Sequence, residues 1–507
     1  MIVFYLLLFV ATFYVLLKHF LPKIQNFPPS PFPTLPVIGH LYLLKKPLHR
    51  TLTTISNRYG PVVLLNFGYR PILIVSSPSA AEECFTRNDI IFANRPRLLI
   101  GKYAGYNYTT LTWSSYGDHW RNLRRISSLE ILSSQRIQTL SHIRIDEVRS
   151  LISRLLRTDQ KQAVDMKSTF FELTLNVIMR MIAGKRYCGD RVEEAEEASK
   201  FREMVAENFR LGSVSNIEDF LPMLRWAGNG VVKRLIKLQQ KRDSLMQSLI
   251  EEHRRMRSCG AENYTKNKKN KTMIEVLLDL QEWQPEYYKD EIIRGIMLVI
   301  IAGGTDTTSS TMEWAMSLLV NNTHVRKKVQ TEIDTVVGHD RLIDESDLPK
   351  LPYLHCIINE TLRMYPPGPL LIPHESSEDC QLGGFHVQRG TTILVNMWAI
   401  HRDPNIWEDP TSFKPERFEG CEGIKDGLKF RFLPFGSGRR GCPGENFAMR
   451  MVGLALGSLL QCFEWKKIGE EMVEMREQDT GLTLTKAQPL KAYCRPRPSN
   501  LNLLSQV

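Results

Sequence analysis

Apolar and polar positions divide this chain into three stretches. Residues 1–17, MIVFYLLLFVATFYVLL, are apolar almost throughout and carry no charged side chain. Continued past Lys18 through His19, Phe20 and Leu21, the run is just long enough to cross a bilayer, so 1–21 reads as an N-terminal transmembrane anchor. A cleavable signal peptide fits less well: no charged n-region precedes the run, and no small-x-small site follows it. Residues 22–39 form the second stretch, a proline-rich hinge. Its core, PPSPFPTLPVIG, has four prolines in six residues and then Pro36 and Gly39, which makes a stiff, extended connector. The third stretch is a globular body over 40–507. Residues 60–76, GPVVLLNFGYRPILIVS, read as two short strands around a turn at Gly68. Helical spacing predicts helices over 79–86, 118–131, 143–157, 168–184, 197–209, 230–257, 273–282, 288–320, 324–337, 353–364 and 443–463. Strand-like pieces return at 386–395 and near 482–494. The expected fold class is mostly α with a small β portion, with no alternating β-α-β pattern and no internal repeat.

Composition narrows this picture. Hydrophobic residues make up 43% of the 507, enough for a sizeable core. Lys18, His19 and Lys23 follow the apolar run directly and hold the rest of the chain on the cytosolic side. The nine cysteines are dispersed, without C-x-x-C pairs. That suits a reducing compartment and argues against a disulfide framework or a structural zinc site. The sequons at Asn107, Asn263 and Asn321 then lie on the wrong side of the membrane for glycosylation. The net charge of +11 allows anionic lipid or an acidic protein as partner. No nucleic-acid motif is present, and the basic run 266–271, KNKKNK, reads as a solvated loop.

The chemistry concentrates in 432–449, FLPFGSGRRGCPGENFAM. Gly436, Gly438 and Gly441 spell G-x-G-x-x-G, the spacing of a loop that cradles a pyrophosphate. That reading needs a strand before the loop, a helix beginning inside it, and parallel strands around it. Pro443 instead suits a helix that starts after Cys442. Only 63 residues follow Gly444, too few for a dinucleotide domain. The competing reading is a loop that presents the Cys442 thiolate. A thiolate just ahead of a helix feels the positive end of the dipole and free backbone N–H groups, which stabilise the anion. Gly438 and Gly444 would let backbone approach a flat partner, and Arg440 would set a cation near its edge. The set suits an iron porphyrin held by one axial cysteine. A lone cysteine without such surroundings is more often a small buried hydrophobe.

Phe435, Gly438, Arg440, Cys442 and Gly444 fill F-x-x-G-x-R-x-C-x-G, with Gly436 in the same loop. In this the chain resembles the cytochrome P450 family, whose haem-binding signature has that form. Four further matches follow the family's order. Trp120 and Arg124, in YGDHWRNLRR, share a helix face; the resemblance implies that they bond the haem propionates. In AGGTDTTSS, 302–310, local rules break a helix at Gly303-Gly304 and cap the next at Thr305 or Asp306. The resemblance implies instead one long, locally distorted helix crossing the haem, with its glycines leaving room for dioxygen. Thr307 would bond back to the Gly303 carbonyl, and Asp306 and Thr307 would form the acid–alcohol pair that relays protons. Glu360 and Arg363, in ETLR, and Arg417, in PERF, would form a buried structural network behind the haem.

The resemblance covers essentially the whole chain. The anchor, the hinge and stretches such as AGGTDTTSSTMEWAMS look like a plant microsomal member of the group that includes isoflavone 2′- and 3′-hydroxylases and enzymes forming lignan methylenedioxy bridges. It implies haem b, iron protoporphyrin IX with an axial cysteine thiolate, and O2 and NADPH as co-substrates. Its partners would be NADPH–cytochrome P450 reductase and, as a further electron donor, cytochrome b5. The chain would sit in the endoplasmic reticulum membrane by a single pass, with its catalytic domain, 40–507, in the cytosol. The reaction implied inserts one oxygen atom into a lipophilic phenolic, flavonoid, lignan or terpenoid metabolite. Oxidative ring closure uses the same residues and stays open. A non-catalytic haem-binding scaffold would have no use for the Asp306–Thr307 pair. The expected pocket draws on Tyr103 and Tyr106 in the loop 98–117, Phe209 and Leu211, Ile300, Ile301 and Gly304, Leu370 and Leu371 after PPGP, and Leu482 and Thr483 in a late turn. Its lining is apolar and aromatic. Residues 219–226, DFLPMLRW, are expected to dip into the membrane surface.

Overall fold

The computed structural model describes residues 25–188, 216–227, 230–259, 271–420, 428–479 and 483–506, with isolated positions in 1–24 and 189–215. The expected anchor, the start of the hinge, the helix 197–209 and the run 266–271 lie wholly or largely outside the described residues, as do Phe209, Leu211 and Leu482.

A helix that the sequence pattern hid comes first. α1 (Leu48–Tyr59) buries Leu52 and Ile55 among threonines and other polar residues, too sparse an apolar stripe to stand out. The stretch around Gly68 forms the hairpin of β1 (Val62–Phe67) and β2 (Arg70–Val75), paired from Val62↔Val75 to Phe67↔Arg70. Ser77 caps α2 (Pro78–Phe85) by accepting the Ala80 N–H. α3 (Asp118–Ile126) runs on into a π turn at Ser127–Ile131. The helical middle follows: α4 (Ser141–Arg157), then the short β3 (Val164–Asp165), α5 (Met166–Ala183) and α6 (Val231–Ser258). Thr272 and Glu275 close a reciprocal capping box on α7 (Met273–Trp283). α8 (Asp290–Asn321), α9 (Thr323–Val336) and α10 (Pro352–Met364) come next. The chain then forms β4 (His374–Glu375), β5 (Cys380–Leu382), β6 (Phe385–Val387) and β7 (Thr392–Val395), and later α11 (Glu445–Cys462), β8 (Phe463–Lys467) and β9 (Lys491–Pro496).

The strands make three small sheets in the order β1–β2–β7–β4, β3–β9–β8 and β5–β6. Expected as one piece, 386–395 divides: Phe385–Val387 pairs with β5, while Thr392–Val395 joins β2 in parallel. Phe463 leaves the helix expected to end on it and opens β8.

α8 is the axis of the body. It packs on α5, α6, α9, α10 and α11, and every residue from Thr308 to Val320 is buried. Its 32 residues give a length of about 48 Å. Apolar over much of its surface, it has the character of a core helix. Among the described residues it is also the one helix long and apolar enough to cross a membrane. The helix passes through Gly303 and Gly304 without interruption, so the break that local rules place there does not occur. Each glycine costs a helix about 1 kcal/mol, and packing along the axis outweighs that cost.

Candidate functional site

A 3₁₀ turn at Lys429–Arg431, not a strand, leads into the cysteine loop, so the context a pyrophosphate fingerprint requires is missing. The loop closes on itself. Cys442 N–H donates to the Phe435 carbonyl at 2.8 Å, Gly436 N–H to Leu433 at 3.0 Å, and Gly441 N–H to Gly438 at 3.1 Å. Leu433 N–H donates to His401 Nε2 at 3.0 Å. Burial, then the nearby Arg363 charge, pushes the His401 pKa down to about 3. The ring therefore stays neutral and keeps an acceptor nitrogen for the loop.

Gly438 departs from the role expected of it. Its φ is +68°, and a Cβ there would stand 2.4 Å from Asp89 Oδ1. Asp89 accepts the Arg439 N–H at 3.1 Å and pairs with its guanidinium at 3.4 Å. Gly438 thus serves a left-handed turn and the close approach of the residues after α2. Gly444 caps α11 and donates its N–H to Cys442 Sγ at 3.3 Å. Cys442 is accessible yet set deep among protein atoms, at the head of a core helix. Burial pushes its thiol pKa up and Glu445 adds to this; the Gly444 N–H, the Arg124 charge and the Glu445 N–H pull it back.

Cations surround the thiol. Arg124 Nη1 donates to the Gly441 carbonyl at 2.6 Å. Arg440 donates to the carbonyls of Ala93 at 2.7 Å, Leu111 at 3.2 Å and Ser114 at 2.5 Å. Its guanidinium lies 4.3 Å from the centre of the Trp120 ring, and Trp120 Nε1 shares the Leu111 carbonyl at 3.1 Å. Trp120 and Arg124 share a helix face, and the cysteine loop brings Arg440 to them, with the donors of all three held by backbone carbonyls. Two further members escaped the sequence reading. Buried Arg95 donates to Thr112, Ile372 and Pro373 carbonyls, and the ring of buried His374 donates to the Phe92 carbonyl at 2.7 Å. Their signal was an arginine and a histidine beside prolines in apolar stretches, FANRPR and LIPHE. Burial lowers the pKa of all four groups; Arg440 comes down to about 9, with Arg124 adding to the effect.

On α8, Thr307 Oγ1 donates to the Gly303 carbonyl at 2.6 Å. Gly303 is exposed, and a Cβ there would meet nothing within 4 Å. With Val299, Ala302, Gly304, Asp306 and Thr307 it forms the strip of this stretch that keeps accessible surface. Gly304 borders the strip on the side of α5: a Cβ there would lie 2.6 Å from Ile178 Cδ1. Ile300 and Ile301 are buried in the main core. Ile300 and Ile301, both expected in the pocket, are therefore packing residues, because helical spacing turns them away from the open strip. Tyr106 is also corrected. It is buried, and its hydroxyl bonds Asp243 of α6, which anchors the loop 98–117. Tyr103 is half-buried against the main core, Leu370 packs by the β1–β2 hairpin, and Leu371 lies beside Gly436 of the cysteine loop. Thr483 Oγ1 donates to Asp306 Oδ2 at 3.1 Å.

Glu360, Arg363 and Arg417 form one buried network. Arg363 grips Glu360 through two bonds of 2.6 and 2.8 Å, and Arg417 Nε reaches Glu360 Oε1 at 3.3 Å. The remaining Arg363 donors take the carbonyls of His401 and Pro410. The same His401 that accepts from Leu433 therefore joins this network to the cysteine loop.

A mostly helical body with a thiol at the head of a core helix, beside a cluster of desolvated arginines, defines a class of protein equipped to hold an anionic group next to a cysteine. The cytochrome P450 family model matches residues 28–492, and the chain belongs to that family of monooxygenases. It is 52% identical to cytochrome P450 81Q32 of Catharanthus roseus, over 95% of this chain and 93% of the relative. It is 49% identical to an isoflavone 2′-hydroxylase of Glycyrrhiza echinata, over 98% and 96%. It is also 49% identical to (+)-piperitol/(+)-sesamin synthase of Sesamum radiatum, over 95% and 92%. A zebrafish cytochrome P450 solved with abiraterone superposes with a TM-score of 0.74 at 26% identity, over 89% of this chain and all of that one.

Membership implies haem on a cysteine thiolate, and the residues present fit it. Arg95, Arg124 and Arg440 crowd together beside the neutral His374 ring, and none of the three is paired with a carboxylate among the described residues. Desolvated cations without anions cost several kcal/mol each. The two propionate carboxylates of a haem would offset that.

Proposed function

We propose that this chain is a plant microsomal monooxygenase that inserts one oxygen atom from O2 into a lipophilic aromatic metabolite, with NADPH electrons delivered by a separate reductase. The observation that carries the reading is the Cys442 thiol at the head of α11, beside buried cations that lack anionic partners. Cys442 would be the axial ligand, held as thiolate by the Gly444 and Glu445 N–H groups. Arg95, Arg124 and Arg440, with Trp120 packed on Arg440, would hold the propionates. When bound, the haem supplies dioxygen activation and oxygen insertion.

The chain's own residues do the rest. Thr307 Oγ1 holds a proton over the open strip of α8, and the Asp306 carboxyl exchanges protons behind it. Burial raises the Asp306 pKa while the Thr483 hydrogen bond and the Lys167 charge oppose the rise, so the group can be protonated nearer neutral pH than an ordinary aspartate. Val299, Ala302 and Gly303 give the open strip of α8 an apolar face that suits a lipophilic substrate. The relatives named as an isoflavone hydroxylase and as a sesamin synthase favour phenolic substrates. The sesamin synthase also favours a second reading, oxidative ring closure. Product mass separates the two: hydroxylation adds one oxygen, and ring closure removes two hydrogens.

Residues 1–21 serve as the endoplasmic reticulum anchor and 22–39 as the hinge of a cytosolic catalytic domain, 40–507. Phe32, Val37, Tyr42, Tyr69 and Met223 are exposed. Tyr42 OH donates to the Pro33 carbonyl, and Tyr69 N–H to Phe220. Hinge, hairpin turn and the 217–224 segment thus present one apolar patch suited to the membrane surface. The basic surface docks the reductase and cytochrome b5.

The test is the carbon monoxide difference spectrum of the reduced protein in microsomes. A strongly red-shifted Soret band is expected, and Cys442→Ser abolishes it in protein that still folds. Folded wild-type protein with no haem signal would overturn the reading.

A further inference from the structure

Thr483 entered the sequence reading as a wall of the substrate pocket. Its hydroxyl instead donates to Asp306 Oδ2 at 3.1 Å. The turn carrying it is pinned to α8. Leu484 N–H donates to the Pro367 carbonyl at 2.9 Å, and the Leu484 carbonyl accepts from Ser310 Oγ at 3.2 Å and from Trp314 Nε1 at 2.8 Å. Further on, Leu490 N–H donates to Glu313 Oε1 at 2.9 Å. Asp306, Ser310, Glu313 and Trp314 follow one another at helical spacing, so one face of α8 is stitched along its length to segment 483–490. Leu484 is buried against Trp314, Leu318, Met364 and Tyr365. A hydroxyl on so firmly held a turn has little freedom, and the bond it makes fixes the carboxyl it meets.

We propose that Thr483 is a positioning residue for proton delivery: it holds the Asp306 carboxyl in one rotamer by Oδ2, leaving Oδ1 to carry the exchanging proton. The proposal rests on the reading of Asp306 and Thr307 as the proton pair. Thr483 donates throughout and keeps its own proton; the proton that moves enters and leaves on Asp306.

The charged surroundings are few. Lys167, at the start of α5, is the one charged group among the described residues that acts on Asp306, and it favours the ionised form. Lys486 lies over the Trp314 ring at 4.8 Å and acts on Glu313, with Lys167 and Asp165. Thr483 is therefore the neutral donor that restrains the rise burial imposes on Asp306, and its loss sends that pKa higher. The sign follows: a carboxyl with a higher pKa keeps its proton to higher pH, so the alkaline limb of coupling moves up.

The experiment compares wild type, Thr483→Val, Thr483→Ser and Asp306→Asn in the haem-loaded, reductase-reconstituted enzyme, reading NADPH oxidised per product between pH 6 and 9 with one turned-over phenolic substrate. A second readout needs no turnover: the carboxyl infrared band that Asp306→Asn removes, titrated in each variant. Removing a hydrogen bond to a charged group is worth about 1.5–3 kcal/mol, about tenfold or more in coupled product. Thr483→Val is expected to lose product to peroxide on that scale, to move the alkaline limb upward and to shift the Asp306 band titration the same way. Thr483→Ser is expected to restore all three, and KM to stay put. If Val distorts the turn, Thr483→Ala reads the same quantities. An unmoved pH profile and infrared band beside an uncoupled Asp306→Asn would overturn the proposal and leave the proton pair standing. A change confined to KM or product pattern would overturn it in favour of a pocket wall. Full coupling in Asp306→Asn would remove the proton pair itself, and the proposal with it.

Discussion

At the scale of single residues, the backbone conformation of one glycine decides whether the thiol loop can close. Gly438 sits at φ +68° with Asp89 where a Cβ would go. An alanine there meets about 1–2 kcal/mol of left-handed strain as well as the clash. Gly438→Ala is expected to lower the haem-to-protein ratio and to unfold at lower temperature, both read on purified protein. Adding Asp89→Ala should recover the part that comes from the clash but leave the part that comes from φ. The same scale explains why an arginine and a neutral histidine escaped the sequence reading. Arg95 and His374 sit far apart in the chain, and no spacing rule connects them. Folding brings both to Arg440, and only then does the arginines' shared lack of an anion become visible.

Among the elements, α8 matters most. Its paired glycines look like a stop signal because each weakens a helix locally. The structure gives them opposite duties. Gly303 opens onto the accessible strip beside Thr307, while Gly304 lets Ile178 of α5 come close. Gly304→Val is therefore expected to destabilise the protein by about 1–3 kcal/mol through overpacking, and Ile178→Ala to recover much of that in a double-mutant cycle of thermal unfolding. Gly303→Ala fills open space and should stabilise the protein by up to about 1 kcal/mol, the helical cost of the glycine. Helical phase accounts for the pocket corrections as well. Ile300 and Ile301 belong to the long helix expected to face the haem, but their angular positions on it point into packing.

Over the whole molecule, buried charge ties distant parts into one unit. Glu360 and Arg363 are fully buried on α10, Arg417 reaches Glu360 from the 409–418 segment, and His401 carries the connection to Leu433 in the cysteine loop. Removing one partner of such a network costs about 3–5 kcal/mol, because the other charge is left buried and unpaired. Glu360→Gln is thus expected to deplete haem-containing protein while turnover per bound haem stays near wild type. A fall in turnover per haem at full haem content would show a chemical role instead.

The sequence by itself determined what depends on order and spacing along the chain. Residues three or four apart share a helix face, so Trp120 with Arg124, Gly303 with Thr307, and Glu360 with Arg363 were legible as pairs. Cys442 ahead of α11 was legible because a proline and a glycine mark where that helix begins. The dominance of helix over strand followed from apolar periodicity, although α1 was lost where polar residues thinned the stripe. Only the tertiary structure decided which neighbours from elsewhere each residue meets. It turned Tyr106 to Asp243, set Thr483 against Asp306, placed Ile178 beside Gly304, and gathered Arg95, His374 and Arg440 into one cluster. Local pattern reports the phase of a residue on its own element, whereas burial and partnership depend on contacts between segments that the chain keeps far apart.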